Sequence, residues 1–145
     1  MILQWLTTQD VENIVELYGQ DFDDGWSKNM LLDAFMTNRF LALGAKEKEN
    51  LVGVITCSTT IFDADIESVF VKKEFRKQGF ANLLLTELEN HLLKEEIEKI
   101  FLEVRKSNLP AQNLYIKHGF EKISQRKEYY SDGEDAVVMA KELKK

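Results

Sequence analysis

The chain has one cysteine, one proline, two histidines and no long apolar run in its 145 residues, and each scarcity closes a class of answers. Cys57 has no partner for an internal disulfide, and its place in LVGVITC reads as a small buried hydrophobe on a strand rather than a nucleophile. His91 and His118 are far apart in the chain and no His, Cys or acidic cluster has metal-ligand spacing, so no metal is expected. His91 falls at the edge of a helical stripe and His118 in a last helical turn, where a cation suits the dipole; both read as structural. No Ser-His-Asp arrangement is legible. The opening MILQWLTTQD lacks a basic segment followed by a long apolar one. No stretch approaches the roughly 18 apolar residues that span a bilayer, so a cytoplasmic location without membrane attachment is expected. A surplus of basic charge is also missing. With 19 Lys and Arg against 25 Asp and Glu, the formal net charge is −6, which argues against direct nucleic-acid binding and mildly favours a cationic partner.

What is there reads as an ordinary globule, 44% hydrophobic and 30% charged with seven glycines, which excludes disordered and low-complexity classes. The length suits a single domain, 1–145, able to bury roughly 70% of its unfolded surface. Residues 2–6 (ILQWL) predict a strand, after which Thr7-Thr8 cap a helix whose apolar set is Val11, Ile14, Val15 and Tyr18. Ser27 caps a second helix with Met30, Leu31, Ala34 and Phe35 on one side. FLALGA (40–45) and LVGVITCST (51–59), separated by KEKEN, predict an antiparallel hairpin, and a further strand runs from about Ile66 to Val71. Phe80, Leu84, Leu88 and Leu92 mark a helix, KIFLEV (99–104) a buried strand, and Asn108–His118 a helix stopped by Gly119. The tail predicts strands at 120–129 and 135–141 across a turn holding Asp132-Gly133. This order implies an α/β chain with one mixed sheet of about seven strands and helices on both faces.

One stretch stands apart in an acidic chain. VKKEFRKQGFANLLL (71–85) places Lys72, Lys73, Arg76 and Lys77 just ahead of Gly79 and a helical run. A strand that ends in a basic, glycine-containing turn and enters a helix offers unpaired amides at the positive end of the helix dipole, which suits an anion such as phosphate. Gly79 permits close approach and Ala81 keeps the first turn clear. The spacing is neither a Walker loop nor G-x-G-x-x-G, and taken alone the cluster could equally be a solvated turn.

The stretch IFLEVRKSNLPAQNLYIKHGF (100–120) adds the decisive pattern. Arg76-Lys77-Gln78-Gly79-Phe80-Ala81 resembles the [QR]-x-x-G-x-[GA] loop of the GNAT superfamily of acetyltransferases, and LEVRKSN followed by A-x-N-L-Y-x-x-x-G-F is similar to their second half-site. The likeness extends to the RimI-type ribosomal-protein-alanine N-acetyltransferases through LEVR-x-S-N at 102–108, Tyr115, R-x-x-YY at 126–130 and G-x-DA at 133–136. The resemblance implies the GNAT acyl-coenzyme A N-acyltransferase fold and acetyl-coenzyme A as cosubstrate. The backbone of Val69, Phe70 and Val71 would pair with the pantetheine arm, the amides of Lys77, Gln78, Gly79, Phe80, Ala81 and Asn82 would hold the pyrophosphate, and Asn108 would lie beside the arm. To these the charge pattern adds Arg76 and the lysines as partners for the ribose phosphate.

Acetyl transfer from a thioester requires a neutral amine and a stabilised leaving thiolate. An α-amine, with its pKa near 7.7–8, is a far lighter task for a carboxylate base than a lysine near 10.4. By resemblance Glu103 is the base and Tyr115 the acid. Glu103 lies between Leu102 and Val104 in an apolar strand, where a carboxylate needs a functional outlet or a partner such as Arg105 or a tail residue. Tyr115, seven residues after Asn108, shares its helix face; its plain alternative is a core aromatic. Glu67 is a lesser candidate, which strict alternation places on the same face as Val69 and Val71. For the acceptor, Trp26 in DFDDGWS resembles an aromatic segment of the RimI type, though the usual proline is replaced by Asp23, Asp24 and Gly25. Tyr129 and Tyr130 would wall the groove or simply pack across strands. Asp23, Asp24, Glu67, Glu128, Asp132, Glu134 and Asp135 would give it a negative field for a basic partner, a ribosomal-protein N-terminus. A polyamine, an aminoglycoside or a lysine side chain is the alternative acceptor, and a non-catalytic acyl-coenzyme A sensor the alternative of another class.

Overall fold

Two registers of hydrophobic spacing, two residues in strands and three to four in helices, build the sheet and its cover. The computed structural model describes residues 1–19 and 25–143. The strands are β1 (Ile2–Trp5), β2 (Phe40–Glu47), β3 (Asn50–Thr59), β4 (Asp63–Val71), β5 (Lys99–Arg105), β6 (Glu121–Arg126) and β7 (Ala136–Glu142), and the helices α1 (Val11–Tyr18), α2 (Lys28–Phe35), α3 (Phe80–Lys94) and α4 (Leu109–Lys117). They form one seven-stranded sheet in the order β1-β2-β3-β4-β5-β7-β6, antiparallel except where β4 meets β5.

Local signals start the helices where the sequence predicts. Thr7 accepts a hydrogen bond from the Gln9 amide and Asp10 returns one from the Thr7 amide, closing a capping box over a short 3-10 turn ahead of α1. Ser27 caps α2 by accepting from the Met30 amide at 3.2 Å. Gly119, at φ +93°, takes the left-handed conformation that ends α4.

The sheet carries a core on each face. On one side Leu84, Leu85, Leu88 and Leu92 of α3 pack with Ile55, Ile100, Leu102, Tyr115 and Met139. Each leucine is at most 1% exposed, a burial worth about 1.5–3 kcal/mol per side chain. On the other side Ile14 and Tyr18 of α1 and Leu31 of α2 close over Phe40, Val54 and Phe70. Cys57 lies in the first core, where burial pushes its thiol up to about 12, so it is a small apolar side chain there.

The structure departs from the sequence reading at two strand ends. β4 begins at Asp63, three residues earlier than expected, because Asp63–Ala64–Asp65 pair with β5. β6 ends at Arg126 rather than 129. Asp135 pulls the chain out of the ladder by accepting from the Glu128 amide at 2.9 Å and Gln125 Nε2 at 2.7 Å, with Glu128 at φ +49°.

Candidate active site

The site originates in a parallel pair that stops early. β4 and β5 pair only over Asp63–Ile66 and Lys99–Leu102. Beyond that point β4 continues paired with β3 alone and β5 with β7 alone. The two strands therefore part, and the backbone edge of Val69, Phe70 and Val71 faces the gap, as an added strand would need. A cavity of about 1460 Å³ runs through this gap, lined from one side by Trp26 and Met30 and from the other by Asn82, Asn108 and Tyr115.

At one end of the cavity the chain turns from β4 into α3. Lys77 (φ +64°) and Gly79 (φ +88°) both adopt left-handed backbone, and no side chain caps the helix. The ladder opens with the Leu83 amide to the Gly79 carbonyl at 3.0 Å, so the amides of Phe80, Ala81 and Asn82 precede it. A Cβ at Gly79 would meet nothing within 4 Å; the glycine is there for its φ, and its open side borders the cavity. Gln78 donates to the Glu74 carbonyl at 3.1 Å. Arg76 borders the cavity with part of its guanidinium already engaged. Its Nε donates to the Val71 carbonyl at 2.7 Å and its guanidinium lies 5.4 Å from the centre of the Phe70 ring, so it braces the loop against the strand.

α4 forms the next wall. Asn108 caps it, accepting from the Ala111 amide at 3.2 Å, and Leu109-Pro110 begin the helix, where a missing proline N–H costs nothing. Asn108 and Tyr115 both line the cavity. Tyr115 is 6% exposed, its ring 5.6 Å from that of Phe120, and burial, with the nearby Tyr130, raises its hydroxyl pKa well above the usual phenol value. It is both the core aromatic and a cavity residue, and it stays protonated throughout the neutral range.

Glu103 emerges on the opposite face of β5 from its buried neighbours Leu102 and Val104. Both its oxygens have partners on the tail, as one sequence alternative foresaw. Tyr129 Oη donates to Oε1 at 3.0 Å, and Arg126 Nε lies 2.8 Å from Oε2. Tyr129 and Tyr130 pack edge to face, centroids 5.2 Å apart, and both border the cavity. They belong to the β6–β7 connection, not to a strand, so cross-strand packing is not their role. The Arg105 guanidinium sits 4.1 Å from the centre of the Tyr130 ring.

Glu67 is where alternation fails. Thr56 pairs with Ser68 and Cys57 with Ile66, which leaves Glu67 as the extra residue of a bulge. The bulge reverses the inward face. Ile66 packs in the core under α3, whereas Ser68 and Phe70 face α1, and Glu67 accepts from Ser58 Oγ at 2.9 Å. Ser58 shares its side of β3 with Thr56 and Val54, so Glu67 lies on the α1–α2 face and not with Val69 and Val71. Burial raises its pKa, partly offset by Ser58.

Two features have no clear sequence signal. A chain of hydroxyls fixes Trp26: its Nε1 donates to Thr56 Oγ1 at 3.0 Å, Thr56 lies 2.7 Å from Ser68 Oγ, and Ser68 lies 3.3 Å from Tyr18 Oη. Gly25 permits this, since a Cβ there would come within 2.7 Å of Tyr18 Cδ2. Asp65 also borders the cavity, its pKa raised first by burial and then by the charges of Glu103 and Asp63. A carboxyl raised in the folded state destabilises it once ionised, so the penalty grows as pH rises from the unfolded value through the folded one. Asp65→Asn should therefore stabilise the fold at pH 7, by less than about 1 kcal/mol because water screens the site, and raise Tm slightly. The gain should vanish in thermal melts below the carboxylate range; a lowered Tm at pH 7 would contradict the assigned repulsion.

The expected negative field is narrower than the sequence suggested. Asp132 and Glu134 both bond Arg105, at 2.9 and 3.0 Å, and Glu134 also takes the Ser107 amide. With Asp135 they tie the β6–β7 connection together, and none of the three lines the cavity. Asp65, Glu67 and Glu103 supply the acidic lining, and Arg76, Lys77, Arg105, Lys117 and Arg126 the basic. Asp23 and Asp24 lie outside the described residues. Among the described residues no group of three His, Cys, Asp or Glu could hold a metal, and no helix is long and apolar enough to cross a membrane.

Comparison with known proteins agrees with this geometry. The acetyltransferase (GNAT) family pattern matches residues 11–120. The [ribosomal protein bS18]-alanine N-acetyltransferase of Haemophilus ducreyi is 36% identical over 143 residues, covering 96% of this chain and 98% of its own. The crystal structure of the ribosomal-protein-S18-alanine N-acetyltransferase from Escherichia coli superposes with TM-score 0.92 at 25% identity, over 99% of this chain and 94% of that one. An aminoglycoside 6'-N-acetyltransferase complexed with coenzyme A shares the fold, TM-score 0.81 at 16% identity, over 100% of this chain and 98% of that one. With the parted strands, the uncapped α3 amides and the family pattern over three quarters of its length, this chain belongs to the GNAT family and is an acetyl-coenzyme A-dependent N-acetyltransferase.

Proposed function

We propose that the chain acetylates the N-terminal alanine of a small-subunit ribosomal protein, with Glu103 as general base and Tyr115 as general acid. The observation that carries this reading is the cavity passing through the sheet where β4 and β5 part. Its lining takes in the α3 and α4 loops on one side and Trp26, Glu103, Tyr129 and Tyr130 on the other. A donor and an acceptor can therefore enter from opposite faces and meet in the gap, the arrangement that direct transfer in a ternary complex needs.

The coenzyme supplies the acetyl thioester. The residues present fit it: the edge of Val69–Val71 that faces the gap would suit the pantetheine arm, the amides from Lys77 to Asn82 would suit the pyrophosphate, and Asn108 would lie beside the arm. Lys77 and Lys117 offer charge for the phosphates beside Arg76, whose Nε is engaged by the Val71 carbonyl. Glu103 receives the amine proton directly or through water. Its Arg126 partner is 56% exposed, so the pair is weak and an entering ammonium can replace it. Tyr115 returns a proton to the departing sulfur. Glu67 is the secondary base or a water-chain partner.

The acceptor assignment draws on the name of the Haemophilus ducreyi relative and on the low demand an α-amine makes of a carboxylate base. Asp65, Glu67 and Glu103 would suit any cationic acceptor, including a polyamine. Mass spectrometry after incubation with a basic peptide bearing N-terminal alanine should show one acetyl group at the α-amine, and none when that amine is blocked. A panel of first residues should lose product as alanine is replaced. Acetyl found only on an internal lysine rejects the N-terminal assignment, and coenzyme binding with no transfer to any amine rejects catalysis.

A further inference from the structure

We propose that His118 is a positioning residue for coenzyme binding: it sets the orientation of the Asn82 side-chain amide so that Asn82 Nδ2 is offered to the pyrophosphate. The inference rests on the placement of the coenzyme described above. His118 directly follows α4, yet its ring reaches across to α3, with Nε2 2.6 Å from Asn82 Oδ1 and Nδ1 3.6 Å from Glu89 Oε2. The His118 and Glu89 side chains are each only 11% exposed. Glu89 is itself pinned from β7, where Lys141 Nζ lies 2.8 Å from Oε1.

Glu89 Oε2 has no hydrogen-bond partner among the described residues, although it is fully enclosed. A buried carboxylate oxygen left so is expensive; it stands 3.6 Å from His118 Nδ1, a contact that attracts when the ring is protonated. Asn82 and Glu89 are seven residues apart on α3 and so share a face. That face presents one oxygen to each ring nitrogen, and the contact to Asn82 Oδ1, which only accepts, requires the proton on His118 Nε2. With its Oδ1 engaged, Asn82 has only Nδ2 to present to the cavity it lines. A terminal amide turned this way donates to phosphate; turned the other way, it would present a carbonyl oxygen and repel it. Asn82 lies in the same first turn whose backbone amides precede the helical ladder, so the side chain extends an existing set of donors. Lys141, Glu89, His118 and Asn82 thus form one line from β7 to the cavity.

Calorimetric titration with coenzyme A tests the line. Loss of one hydrogen bond to a charged group corresponds to about tenfold weaker binding, and His118→Ala and Asn82→Ala should each show it. The double variant should be no weaker than Asn82→Ala alone, because His118 acts only through the Asn82 donor. His118→Gln, which keeps a side-chain N–H of similar reach, should recover most of the affinity, and His118→Leu, which fills the space without an N–H, replaces His118→Ala if the latter fails to fold in a circular-dichroism melt. In the transfer assay His118→Ala should raise KM for acetyl-coenzyme A and leave kcat unchanged. kcat/KM for S-acetylpantetheine, which carries no pyrophosphate, should not change. Wild-type coenzyme affinity in His118→Ala, a loss in His118→Gln as large as in His118→Ala, multiplied losses in the double variant, or an equal loss with S-acetylpantetheine would each overturn the proposal. Failure of the wild-type protein to bind coenzyme A would instead remove the coenzyme-site reading on which it rests.

Discussion

Glu103→Gln is expected to lower kcat by about a hundredfold or more, the contribution of a positioned general base, and to leave coenzyme affinity within about twofold. Glutamine keeps the size of the side chain and an oxygen that can still accept from Tyr129, so the wall of the cavity survives. What disappears is the acceptor for the amine proton. The pair with Arg126 disappears too, but it is solvent-exposed on the arginine side and is worth less than about 1 kcal/mol, so Tm should barely move. Stopped-flow transfer with saturating peptide, alongside calorimetric titration of coenzyme A, separates the two quantities. Equal losses in both would show that Glu103 shapes the site without accepting a proton. Glu67→Gln belongs in the same experiment. A large loss there with a small one at Glu103 would move the base to the bulge, where burial already lifts the carboxyl pKa.

Tyr115→Phe should slow turnover by a similar factor, about a hundredfold, again without releasing the coenzyme. The ring stays in place, packed on Phe120 and enclosed by the core under α3, so only the hydroxyl is lost. Burial holds that hydroxyl protonated throughout the neutral range, so its protonation does not vary over an ordinary assay. The deficit should accordingly be uniform from about pH 6 to pH 9, with no limb of the pH profile assigned to Tyr115. A variant as fast as wild type across that range would leave Tyr115 as a core aromatic alone.

The sequence signals for these two residues differ. The family resemblance marks Tyr115, supported by its spacing from Asn108 and by the Gly119 stop, all in or beside α4. Glu103 stood out as a carboxylate in an apolar strand, but its partners did not, because Arg126 and Tyr129 reach it from 23 and 26 residues away across the β6–β7 connection. Arg76 shows the same limit: its charge is legible, but its contacts with the Val71 carbonyl and the Phe70 ring are not. Nor does counting charges in the acidic tail reveal that Arg105 and three backbone amides bind them.

Local backbone chemistry was written in the sequence itself. The caps at Thr7, Ser27 and Asn108, the left-handed turns at Gly79 and Gly119, and the alternating and helical hydrophobic spacings all act over a few residues, so they can be read without knowing what packs against them. The basic loop before α3 belongs to the same class, since its open amides follow from where the helix begins. Only the tertiary structure decided which face Glu67 occupies, because a single unpaired residue at the bulge reverses every side chain beyond it. It alone also decided that β4 and β5 part after Ile66 and Leu102, that hydroxyls on α1, β3 and β4 fix Trp26, and that His118 reaches Asn82 from 36 positions away. Those contacts depend on how finished elements pack together, and packing is set by the whole core rather than by any one stretch of chain.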